Sequence, residues 1–246
     1  MKRGIFILVA LILLPSVFAS INIDSLQKDK VNLGDYLPVS GKISQSSDMF
    51  ALFKLILDCE SDYPLLIRSI SITANKESLF SEKLNIPIVN EGPCTIRAEL
   101  EKSGNILETA QSSAFTVTKE LKGEFDIPSN TYQLGDRLTL KGKIQRLSGD
   151  LVNGFGTLYL ISNSSIAFAD SITVDSGSFS YARATTDMPA GSHKLQFDVQ
   201  DSYGNKVLLD LGALVIENRL TLTSSLNKEL FLPGEKVEIT GSVKKF

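Results

Sequence analysis

The sequence predicts an all-β protein: tandem antiparallel β-sandwiches following an N-terminal signal helix. Three observations predict it. One turn-and-strand stretch recurs three times at a spacing of about 100 residues. The residues after each turn alternate between apolar and polar with period two. Runs of this kind are short and are separated by clusters of Gly, Asp, Asn, Ser and Pro.

The chain opens MKRGIFILVALILLPSVFAS. Lys2 and Arg3 form a short positive region, Ile5–Leu14 is an apolar run, and Val17-Phe18-Ala19 ends in a small residue before Ser20. This is the plan of a secretory signal peptide over residues 1–19, with the mature chain starting at or near Ser20. The apolar run is shorter than the roughly 20 residues that span a bilayer; a retained anchor is the alternative. Ser at position 20, where a lipid anchor would need Cys, argues against lipidation. Without Lys2 and Arg3 the formal charge goes from −3 to −5. A mildly acidic exported chain offers no electrostatic reason to bind nucleic acid or an anionic membrane. No later apolar stretch reaches membrane length, so no span is expected in the mature segment.

The repeat is read from LGDYLPVSGKI (Leu33–Ile43), LGDRLTLKGKI (Leu134–Ile144) and PGEKVEITGSV (Pro233–Val243). Their first glycines, Gly34, Gly135 and Gly234, are separated by 101 and 99 residues, and Gly41, Gly142 and Gly241 keep the same separations. KSGN at Gly104 and SYGN at Gly204 add a second landmark 100 residues apart. Pro233-Gly234 suits the centre of a type II turn, because Pro presets φ and Gly accepts φ > 0. After the turn, Leu138, Leu140, Gly142 and Ile144 share one face, and Arg137, Thr139, Lys141 and Lys143 the other. That is a half-buried strand. Glycine on its inward face either makes room for a large residue opposite or marks a bulge. Pro38 cannot donate to a ladder, which predicts an edge or a bulge there.

The second repeat continues with predicted strands at 155–161, 171–174, 178–182, 193–199 and 206–215. MFALFKLIL (Met49–Leu57) is helix or strand by periodicity alone; its place in the repeat selects strand. Seven or so short strands in about 100 residues is the profile of an immunoglobulin-like sandwich. The expected organisation is a signal peptide (1–19), two sandwiches (20–120 and 121–217) and the first two strands of an incomplete third (218–246). A fragment of a longer protein is the expected reason for the third; pairing of its strands with another chain is the alternative.

These repeats, with VDSGSFSY (Val174–Tyr181) and GSHKLQFDVQDSYGN (Gly191–Asn205), resemble the immunoglobulin-like and macroglobulin-type domains strung together in secreted prokaryotic surface proteins. The resemblance spans nearly all of 21–246 and implies fold more than function. The first repeat departs from it, lacking a DSGSFSY equivalent and carrying both cysteines. In such a sandwich Cys59 would end the third strand and Cys94 begin the sixth, which are neighbours. A disulfide is expected after export; two separate buried thiols are the alternative.

Candidate sites are few. His193, the one histidine, has no second histidine to form a metal pair, and no nucleophile-elbow, zinc or phosphate-loop pattern occurs. No catalytic residue, cofactor or resident metal is expected. Asp198, Asp201 and Asn205 around DVQDSYGN are the candidates for a calcium site; a hairpin turn using the same side chains on local backbone is the alternative. Asn163-Ser164-Ser165 is a glycosylation sequon. The expected function is a non-catalytic module of an exported cell-surface or envelope protein, a spacer or a contact surface for other extracellular proteins. Alternatives are a carbohydrate- or strand-binding module, and an accessory segment of an exported enzyme or macroglobulin-like protein. The absence of Trp weighs against the aromatic platforms of sugar sites.

Overall fold

The computed structural model describes residues 19–245, so the predicted signal helix lies outside the described residues; Ala19 already belongs to a strand. The regular secondary structure of the described chain is all strand apart from one short 3-10 turn, Thr185–Asp187. In order the strands are β1 (Ala19–Ile23), β2 (Lys30–Asn32), β3 (Tyr36–Gln45), β4 (Met49–Asp58), β5 (Asp62–Ile72) and β6 (Ser78–Asn85). Then come β7 (Gly92–Lys102), β8 (Asn105–Gln111) and β9 (Phe115–Thr118). The second repeat supplies β10 (Leu121–Asp126), β11 (Thr131–Gln133), β12 (Arg137–Arg146), β13 (Gly154–Ser162) and β14 (Ser165–Val174). It ends with β15 (Ser178–Ala184), β16 (Gly191–Asp201) and β17 (Lys206–Glu217); β18 (Leu220–Leu226) and β19 (Ile239–Lys245) follow.

The chain forms two compact units. Of the described residues, the first unit holds those up to Asp29, with Tyr36–Ile86 and Asn90–Val117; the second holds those from Thr118 together with Lys30–Asp35 and Pro87–Val89. In the first unit β3 runs between β1 and β6, and β4 runs between β5 and β7. The far side of β7 is shared by β9 along Gly92–Cys94 and β8 along Arg97–Lys102. Alternate residues of each sheet are buried: Leu37, Val39 and Ile43 from β3, Phe53, Leu55 and Leu57 from β4, Ile96, Ala98 and Leu100 from β7. Period-two burial of this kind makes a sandwich core. Met49–Leu57, undecided by periodicity, is a strand because neighbours on both sides complete its ladder. Pro38 lies in a central strand, yet the β1 ladder ends at Ile23 opposite Gly41, so β3 has only β6 beside it at Pro38. The missing donor costs no pairing.

In the second unit, β10-β12-β15 faces β11-β17-β16-β13-β14. All pairs are antiparallel except β11 with β17, which is parallel. The strictly antiparallel expectation fails there because the chain crosses from one sheet to the other through Ile127-Pro128-Ser129 and joins β17 in the same direction. Leu138, Leu140 and Ile144 from one sheet pack with Leu158, Leu195 and Phe197 from the other.

The repeated inward glycine has a packing reason. Gly41 pairs with Phe80 and Gly142 with Phe179. A Cβ at either would lie 2.5 Å from the phenylalanine ring and nearer still to a neighbouring carbonyl oxygen. Each ring leans over the glycine onto a second phenylalanine across the core: Phe80 on Phe53 at 4.9 Å, Phe179 on Phe197 at 4.8 Å between centroids. Burying a phenylalanine contributes about 1.5–3 kcal/mol, and a tilted ring pair roughly 0.5–1.5 kcal/mol more.

β18 and β19 form a two-stranded antiparallel hairpin. Their large apolar residues, Leu222, Ile239 and Val243 among them, are 54–70% exposed. Val237, expected in the strand, falls just before it.

Candidate functional site

The repeated acid staples the repeated turn. Asp35 N–H donates to Asn32 O (3.1 Å), Asp136 N–H to Gln133 O (2.9 Å) and Glu235 N–H to Leu232 O (3.0 Å), each closing a four-residue turn. In return the carboxylates accept from the N–H of Asn32 (2.8 Å), Gln133 (2.7 Å) and Leu232 (2.7 Å). The third turn residue is glycine with φ of +77°, +95° and +86°, which a type II turn requires. The sequence exposed the glycine; the carboxylate's role lay in the Asp or Glu one place further on.

Within the second unit, Asp35 and Asp201 converge on the guanidinium of Arg146. Nη1 donates to Asp35 Oδ1 (3.2 Å), and Nε and Nη2 both donate to Asp201 Oδ2 (3.2 and 2.9 Å). Asp201 also accepts from the backbone N–H of Tyr203 (2.8 Å) and Asn205 (2.9 Å) and from Asn205 Nδ2 (2.8 Å). Asn205 bonds both backbone groups of Leu33, donating to O at 2.9 Å and accepting from N–H at 3.2 Å. The Tyr203 ring covers the guanidinium at 4.8 Å, and a Cβ on Gly34 would strike that ring at 2.6 Å. Asp35 and Asn205 are fully buried, and Arg146 is 8% exposed. Buried charges persist only when paired and hydrogen-bonded in this way.

That arrangement separates the three calcium candidates. Asp201 and Asn205 come together, but Asp198, three residues away on a strand, points to the opposite, solvent-exposed side. Both oxygens of Asp201 already accept several donors, and a guanidinium occupies the position of the positive charge. Among the described residues no group of three or more His, Cys, Asp or Glu is placed to hold a metal ion. Asp35, Asn32 and Arg146 were missed in the sequence. The available signal was parity, because Arg146 falls on the inward face shared by Leu138, Leu140 and Ile144.

Further along, His193 is buried and donates from Nε2 to Pro189 O at 2.8 Å, while Nδ1 has no hydrogen-bond partner among the described residues. On the same unit, Asp170 accepts from Tyr181 Oη (3.0 Å) and Arg183 Nη1 (2.6 Å). Burial alone would raise the Asp170 pKa; the Arg183, Tyr181 and Ser171 N–H bonds outweigh it and hold the carboxyl below its usual value. Burial, and then the bond to Asp170, push the Tyr181 phenol well above its ordinary value. In the first unit Cys59 and Cys94 form the expected disulfide, with Cα atoms 4.3 Å apart. Adjacent register sets it up, since Asp58 pairs with Thr95. Nearby, Arg97 pairs with Asp58 (2.8 Å), Glu99 (2.9 Å) and Asp62. Bonds to Asp62, countered by burial and reinforced by Glu99, raise its pKa further. Asn163 and Ser164, both with positive φ, form the exposed two-residue turn between β13 and β14.

No protein-family model matches the chain, and no curated protein matches it in sequence. Among solved structures, a tetra-tandem repeat from the extending region of a large adhesion protein is 14% identical with a TM-score of 0.39, over 92% of this chain and 56% of that one. A β-glucosidase from Listeria innocua is 13% identical with a TM-score of 0.32, over 42% of this chain. One from Erythrobacter marinus is 11% identical with a TM-score of 0.31, over 41%. The matched part is 16% of each glucosidase's length. Among the described residues no helix is long and apolar enough to cross a membrane.

Proposed function

We propose that the chain is a non-catalytic, immunoglobulin-like β-sandwich module of an exported cell-surface or envelope protein, acting as a spacer or contact surface. The observation that carries this reading is the stapled turn, built the same way three times and opening a glycine–phenylalanine sandwich twice. A unit reused at constant spacing sets length and rigidity. Its polar side chains support the reading too. The strongest constellations, around Arg146, Arg97 and Asp170, are spent on one another and on backbone. The disulfide fits an oxidising compartment.

The test is labelling on intact source cells with a membrane-impermeant maleimide, before and after reduction. The expected result is no labelling of Cys59 and Cys94 until an impermeant reductant is added from outside, then labelling of both. Thiols that label only after cell lysis, without reductant, would place the protein in the wrong compartment and overturn the proposal.

A further inference from the structure

The two complete units carry an equivalent hairpin. β4 runs between β7 and β5, and β13 between β16 and β14, so among the described residues β5 and β14 end their sheets. An unpaired strand edge is a template for other chains unless charge, proline or a cover blunts it. β5 has Pro64 and Arg68 within it, and the Cys59–Cys94 bridge ties its turn to β7. β14 reads SIAFADSITV, without Pro, Lys or Arg. Its one charge, Asp170, is taken up by Arg183 and Tyr181. Ala167, Ala169, Ser171 and Thr173 are small and exposed, and Ile166 is 63% exposed.

The device on this second hairpin is its turn. Asn163 and Ser164, with φ of +48° and +63°, connect Ser162 to Ser165. A hairpin turn of this type favours Asn at positive φ, but it asks nothing of residue 165. Asn163 and Ser165 are both exposed, and among the described residues neither side chain has a hydrogen-bond partner. They are the pair that an N-glycosylation acceptor needs, Asn to take the sugar and Ser two places on.

We infer that Asn163 is the attachment site of an N-linked oligosaccharide, and that the sugar screens the open edge of β14. The inference rests on the reading of the chain as exported, because the co-substrate is an oligosaccharide carried on a lipid diphosphate and transferred to exported chains. Asn163 Nδ2 attacks the anomeric carbon of that donor. A carbon–nitrogen bond forms, the bond from the anomeric carbon to the phosphate oxygen breaks, the lipid diphosphate leaves, and Nδ2 gives up one proton. The bulky, hydrated product then stands at the first residue of β14, beside Ile166. It takes the place there of Pro64 and Arg68 on β5.

The test is tandem mass spectrometry of the whole protein isolated from its source cells. Trypsin cutting after Arg146 and Arg183 releases residues 147–183, which hold the sequon. The expected result is an added mass in saccharide steps on Asn163. Ser165→Ala, which leaves Asn163 and its turn in place, should abolish the addition, and Ser165→Thr should keep it. A bare Asn163 overturns the inference, as does a sugar that survives Asn163→Gln. The same digest reads the cysteines. A bare Asn163 with Cys59 and Cys94 bridged overturns this inference alone, whereas a bare Asn163 with both thiols free overturns the exported reading as well. For the screening role, amide exchange compares the glycosylated chain with the same sequence made in cells that lack N-glycosylation. Protection across residues 166–172 should rise with concentration only in the sugar-free chain. The same concentration dependence in both, or in neither, overturns the screening role.

Discussion

The guanidinium of Arg146 balances two buried carboxylates that have no water to fall back on. Removing it, as in Arg146→Met, leaves Asp35 and Asp201 facing one another unpaired. Losing one partner of a buried ion pair costs about 3–5 kcal/mol. We expect that loss in urea unfolding of the second unit, whereas Asp198→Ala, on the exposed side of the same strand, should stay within about 0.5 kcal/mol. Addition of calcium should leave the melting temperature of the native chain unchanged. A rise would mean that Asp201 has oxygens to spare. Asp170 gives a pH dependence of definite sign. Its folded-state pKa is depressed, so its stabilising contribution is complete above the unfolded value of about 3.9 and fades as pH falls through the lower folded value. The stability gap between the native chain and Asp170→Asn should therefore be constant near neutrality and close below about pH 4. A gap that persists at pH 2 would mean that the Arg183 and Tyr181 bonds do not favour the charged form.

Among the strands, the glycine–phenylalanine register makes a sharp contrast within one chain. Gly142→Val forces a branched side chain into the space of Phe179 and against Glu124 O. Overpacking of this kind costs about 1–3 kcal/mol, and thermal unfolding of the second unit should show it. Failure to destabilise would mean that the ring has somewhere else to go. Such strands were largely legible in the sequence. The segments expected at 155–161, 193–199 and 206–215 all lie inside β13, β16 and β17, because period-two burial and Gly-Asp-Ser turns are local signals. The glycine's purpose was half legible, as room for a large residue, but the phenylalanine filling it stands 37 to 39 residues later in the chain. What was not legible came from longer range. Arg146 meets Asp35 across 111 residues, and no local pattern in DVQDSYGN distinguishes a carboxylate waiting for calcium from one waiting for arginine. The parallel β11–β17 pair was missed for the same reason, since a three-residue strand carries no direction of its own.

For the molecule as a whole, the disulfide and the most deeply buried ion cluster fall in different compact units. The disulfide closes a loop of 35 residues inside the first, and the Arg146 cluster lies inside the second. In the chain-entropy account a loop of that length stabilises by about 3–4 kcal/mol, less any native-state strain. Reduction should then act on one unit. Under native conditions with and without reductant, amide exchange in β4 and β7, the strands joined by Cys59 and Cys94, should accelerate by a factor of order 10² or more if those amides open by unfolding of that unit. Exchange in β13 and β16 should not change. The β18–β19 hairpin, which buries little apolar surface, should exchange fast in both conditions, since an isolated two-stranded hairpin is marginal in water. Equal acceleration in β13 and β16 would show that the two units unfold as one and that the compact division has no energetic counterpart. Unchanged exchange in β4 and β7 would show that the bridge ties together strands already held by their ladder and adds little to the stability of that unit.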